Sequence, residues 1–153
     1  MADNQSTKLF TVEEANASLP LVRAITSDLA ELSARIFHRQ RHFDSVSAGR
    51  ELSTENGLYS EELMHERSEL ERQKDRLNEL IDELRDLGAE PKTGPSGAID
   101  LVDFPSQRDK RMVYLCWKLG EDRVEHWHEL DTGFSGRQSL TDVMETPVVD
   151  TPN

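Results

Sequence analysis

The chain has 153 residues, enough for one domain with a core of its own. Its residues are 35% hydrophobic and 31% charged with a net charge of -12, a balance that fits long solvated helices over a thin core and disfavours nucleic acid or an anionic membrane as partner. A single Cys excludes an intrachain disulfide framework, and with neither an apolar leader nor a run of about 18 apolar residues the expectation is a cytoplasmic protein without a membrane span.

Residues 1–8 are expected to form a flexible N-terminus, with one domain over 9–138. Thr11 followed by Glu14 has the spacing of a capping box, so a helix starts there. Pro20 would interrupt a helix interior, which predicts a short helix over about 11–18, a bend, and a long helix over about 19–46. Val22, Leu29, Ile36 and Phe43 recur every seven residues, with Ile25 and Leu32 between them. Ser47–Gly57 is polar and reads as a connection. A second helix follows over about 58–87, carrying Leu63, Leu70, Leu77 and Leu84 at the same spacing, and Gly88 is its stop. Two such helices joined by a short link make an antiparallel, coiled-coil-like hairpin over 11–88.

Gly and Pro content predicts a loop over 89–97. A β-region over 98–138 then contains three β-prone runs, Ala98–Asp103, Arg111–Lys118 and Arg123–Leu130, with a turn at Gly120-Glu121-Asp122. Residues 139–153 read as a disordered tail. The expected fold class is α+β: a long helical hairpin followed by a small antiparallel sheet of two or three strands.

Three segments carry a resemblance: the opening LFTVEEANASLPLVRAI, the central GAIDLVDFP, and VYLCWKLGEDRVEHWHELDTGFSGRQ. Together they resemble a small prokaryotic family known only as a domain of unknown function, over roughly residues 9–138. The resemblance implies a helical hairpin with a small β-region. It brings no activity and no catalytic residues with it.

Val113–Gln138 holds the only Cys, both Trp and two of the five His. His126 and His128 alternate along a strand and therefore share a face. If the turn is Gly120-Glu121-Asp122, Leu119 pairs with Arg123, and Cys116 falls opposite His126 with Tyr114 on the same face. A shift of one residue sends Cys116 to the face of Glu125 and Trp127. A thiolate and two imidazoles suit zinc or another borderline metal, with a fourth position open. A Cys/His pair also serves nucleophilic chemistry. Tyr114, Trp127, Glu129 and Arg137 are the binding residues expected around it. The structural alternative is a small core Cys with His at polar edges.

Three weaker patterns have structural explanations. His38 and His42, with Glu62 and His65, resemble half of a carboxylate-bridged metal bundle but lie off the apolar seam. The basic run Arg35, His38, Arg39, Arg41 and His42 faces Glu61, Glu62, Glu66 and Glu69 across the hairpin, so interhelical charge pairing accounts for it. Gly133-Phe134-Ser135-Gly136-Arg137 reads as a turn able to present Arg137. Two functions follow: a non-enzymatic interaction or scaffolding module that self-associates as a homodimer through its helices, or a small metal- or ligand-binding protein, hydrolases included.

Overall fold

A computed structural model describes residues 8–51 and 57–140. The expected flexible residues 1–7, the expected tail beyond Leu140 and the centre of the hairpin connection lie outside the described residues. Helix α1 spans Val12–Glu51 and α2 spans Gly57–Asp86. Strands β1 (Glu90–Thr93), β2 (Ile99–Arg108), β3 (Arg111–Lys118), β4 (His126–Glu129) and β5 (Gln138–Ser139) form one antiparallel sheet in the order β1-β2-β3-β4-β5. The class is α+β with a helical hairpin, and the sheet has five strands, not two or three. No described helix is long and apolar enough to cross a membrane.

The start of α1 is capped as its spacing predicts. The Thr11 amide donates to Glu14 Oε1 and the Glu14 amide to Thr11 Oγ1, both at 3.0 Å. The division into two helices expected at Pro20 is absent: α1 is continuous through it. A helix-interior proline costs about 3 kcal/mol. Here Ala15, Leu19 and Val22 are all buried in the core on either side of it, so packing outweighs the lost bond. Helix α2 ends in a Schellman turn: Gly88 takes φ 97°, its amide reaches the Arg85 carbonyl at 2.9 Å, and the Ala89 amide reaches the Leu84 carbonyl at 3.0 Å.

The core lies between the hairpin and one face of the sheet. Leu19, Val22, Ile25, Leu29, Leu80 and Leu84 pack against Val102, Phe104, Val113, Leu115, Trp117 and Trp127. Further along the hairpin Ile36, Phe43 and Leu63 are only half-buried, although Leu70 is buried.

The two extra strands are short edge pieces. Strand β1 falls inside the stretch expected to be loop; its Pro91 pairs with Val102 and is buried, a position an edge strand tolerates. Strand β5 pairs with His126 and Trp127, and the Leu140 amide reaches the Glu125 carbonyl at 2.8 Å, so the fold runs two residues past the expected boundary at 138. Strand β4 is shorter than the run Arg123–Leu130. Its first part is held by α1 instead: the Val124 amide donates to Asn16 Oδ1 at 2.7 Å, and Asn16 Nδ2 donates to the Val124 carbonyl.

Candidate metal centre

Antiparallel pairing fixes which side chains meet on the face of the sheet away from the helices. Strands β2 and β3 are joined by a two-residue turn at Asp109-Lys110, both at positive φ. That turn sets Asp103 opposite Cys116. Cys116 in turn pairs with His126, one of the two registers the sequence left open, and Tyr114 pairs with His128. Asp103, Cys116 and His126 therefore form one row across three strands, with Tyr114 and His128 in the next row.

Within this face Asp103, Cys116 and His128 converge. All three are buried, and one ligand atom of each lies within 4.8 Å of the others. Among the described residues this is the one grouping of three or more His, Cys, Asp or Glu with that geometry. Asp103 is the member that sequence reasoning missed; it flanks Cys116 from β2, on the side opposite His126. His126 is only partly buried, and its Nδ1 lies 4.0 Å from Glu121 Oε2. His38, His42 and His65 are exposed on the hairpin, and Arg39 pairs across it with Glu66 at 3.0 Å.

The orientation of His128 is set from both sides. Its Nδ1 lies 2.7 Å from the Glu129 carbonyl, which can only accept, so Nδ1 carries a proton. Its Nε2 lies 3.1 Å from Asp103 Oδ1. A carbonyl holding Nδ1–H is the arrangement that presents Nε2 as a metal ligand. Burial, reinforced by the Asp103 charge, pushes the Cys116 thiol up to about 12. Burial likewise raises Asp103, against the opposing pull of His128.

Arg137 braces the cluster from the loop after β4. Its Nη1 lies 4.0 Å from Cys116 Sγ and donates to Glu121 Oε1 at 3.1 Å, and its guanidinium stacks 4.5 Å from the Phe134 ring centroid. Burial opposes charge on Glu121, but hydrogen bonds from Arg137 and the Lys118 amide outweigh it and hold the carboxyl below its usual range. Beside the cluster lies a cavity of about 230 Å³ walled by Asp103, His128, Tyr114, Leu130, Phe134 and Lys92. Of the expected binding residues, Tyr114 lines it and its ring sits 5.5 Å from that of His128. Glu129 is turned aside to pair with Arg111 at 2.9 Å, and Trp127 belongs to the helix-facing core.

With this geometry in place, one comparison identifies the chain. Residues 8–140 match a family described as an uncharacterized conserved protein (DUF2203). The chain belongs to that family. No curated protein and no solved structure matches this family member.

Proposed function

We propose that this protein binds one divalent borderline metal, zinc in the first instance, through Asp103 Oδ, Cys116 Sγ and His128 Nε2. The observation that carries the reading is the meeting of three different ligand types in a buried cluster whose histidine is already oriented by the Glu129 carbonyl. Ligand atoms on one zinc stand roughly 3.5 Å apart at bond lengths of about 2.0–2.3 Å, so small side-chain rotations from the present spacing complete the site. Arg137 then donates to the thiolate, the role of an outer-shell hydrogen bond. Three protein ligands with a fourth position toward a cavity is how catalytic zinc is held, so the reading extends to hydrolysis of a small substrate. A thiolate ligand is kept reduced in the cytoplasm, where we place the protein.

Cobalt(II) titration of metal-stripped protein tests this. Wild type should develop thiolate-to-cobalt charge-transfer absorption. Cys116→Ser should abolish it, Asp103→Asn should weaken binding by at least about tenfold, and His126→Ala should leave it unchanged. Absence of the band in wild type overturns the proposal, and loss of binding in His126→Ala would restore the ligand set read from sequence.

A second reading, self-association, rests on the hairpin. Phe37 is 57% and Met64 is 67% exposed on helices whose distal seam is only half-covered. We infer that a second copy covers this region, giving a twofold dimer. The net charge of -12 supports a partner other than nucleic acid.

A further inference from the structure

A second cleft, of about 520 Å³, adjoins the metal-site cavity and shares Lys92 and Tyr114 with it as walls. It lies between the C-terminal end of α2, residue Lys8 and the edge strand β1. Its charge is unusual for this molecule. Lys8, Arg85 and Lys92 face it against Asp86 and Glu90, three cations to two acids, in a chain whose net charge is -12. By contrast, the groove near the hairpin tip is lined by Glu61, Glu62 and Glu66 with two His.

The three cations are not equally engaged among the described residues. Arg85 is taken up by Glu90 through hydrogen bonds of 3.0 and 2.7 Å. Neither Lys8 nor Lys92 is hydrogen-bonded or ion-paired to a carboxylate among the described residues; Lys8 rests 4.8 Å over the Phe10 ring, and the Lys92 charge acts at longer range on the Asp103 carboxyl. Lys92 projects from the same sheet face as Asp103, since Glu90 pairs with Asp103 and Lys92 with Leu101. The placement of Lys8 depends on Gly88. A Cβ there would stand 3.1–3.2 Å from the Lys8 stem and the Phe10 ring, and its φ of +97° disfavours any side chain. Gly88 thus both ends α2 and lets the lysine stem lie against that end.

We propose that the ligand of the metal centre is an elongated dianion. One acidic group reaches the open metal position, the chain passes Tyr114, and the second acidic group lies in the outer cleft against Lys92 and Lys8. This rests on the reading of Asp103, Cys116 and His128 as metal ligands. Lysines act here as point charges without the planar fork of arginine, so the second group is a carboxylate or a phosphate-type oxyanion.

The probes are adipate, a phosphonocarboxylate of the same length, and hexanoate as monoanion, each titrated by calorimetry and by the visible bands of the cobalt-loaded protein. Both dianions should bind at least about tenfold more tightly than hexanoate, as a charge-assisted contact gives. Their ratio tells carboxylate from phosphate recognition. Lys92→Glu should remove the advantage, while Lys74→Ala on the hairpin should keep it. Equal affinity of hexanoate and both dianions for cobalt-loaded wild type overturns this proposal and leaves the metal site standing. Failure to load cobalt overturns both.

Discussion

Arg137 grips Glu121 through both guanidinium nitrogens while the same Nη1 stands 4.0 Å from the Cys116 thiol, so one ion pair ties the loop after β4 to the turn after β3 at the edge of the buried cluster. The pair is mostly buried, at 15% and 26% side-chain exposure, so it is shielded from the screening that weakens surface pairs.

That pair makes stability depend on pH in a defined sense. The Glu121 carboxyl is held below its ordinary 4.5 in the folded chain. The unfolded state therefore binds more protons between the two values, and stability falls as pH drops through that window. Above it, Glu121→Gln should cost about 1–3 kcal/mol. The gap between wild type and variant in urea melts should shrink below pH 4.5. A constant gap from neutral pH to the acid limb would show that Glu121 carries no such coupling.

Cys116 should be chemically quiet in metal-free folded protein. With its thiol pushed up to about 12 and fully buried, little thiolate exists at neutral pH and reagents have no access to it. Iodoacetamide should modify it at least about a hundredfold more slowly than in urea-unfolded chain. Comparable rates in the two states would contradict both the burial and the raised value.

Part of the geometry of this buried cluster was legible in the sequence, and the part that was not has a simple cause. A turn at Gly120-Glu121-Asp122 would set Leu119 opposite Arg123 and Cys116 opposite His126; the second pairing is present, although residues 119–125 join the strands and the Leu119 amide donates to the Asp100 carbonyl instead. Asp103 was hidden because no turn had been located between β2 and β3. The tight pair Asp109-Lys110 sets Arg108 opposite Arg111, and counting back along both strands brings Asp103 to Cys116. The signal was weak, since Asp-Lys lacks the glycine that usually marks a type I′ turn. Strand β1 was lost for a different reason. Glu90-Pro91-Lys92-Thr93 has little β propensity of its own and becomes a strand by pairing with β2. Pro20 misled in the opposite direction, where tertiary burial overrode a local rule.

The heptad reading of the hairpin separates two neighbouring positions on α2. Leu70 is 4% exposed, so Leu70→Ala should cost about 2–5 kcal/mol. Arg72 pairs with Glu69, its own side chain 69% exposed, and Arg72→Ala should stay within about 0.5 kcal/mol of wild type. Thermal or urea denaturation of the two variants decides it, and equal small losses would mean that the seam is not where the leucine repeat puts it.

The same seam leads to the assembly state. Near the sheet, Leu29, Leu80 and Leu84 are closed off by the core, whereas Ile36, Phe43 and Leu63 further along the hairpin are half-buried. A two-helix hairpin buries one narrow stripe per helix, and Phe37 and Met64 fall outside it. Pairing two hairpins into four helices would cover both without disturbing the sheet, so the Asp103, Cys116 and His128 cluster should be intact in each protomer. Light scattering at micromolar concentration should therefore give twice the chain mass. Phe37→Glu combined with Met64→Glu should return the mass of one chain and leave the cobalt spectrum unaltered. A monomer mass for wild type would end the self-association reading, and a dimeric double variant would move the interface elsewhere on the molecule.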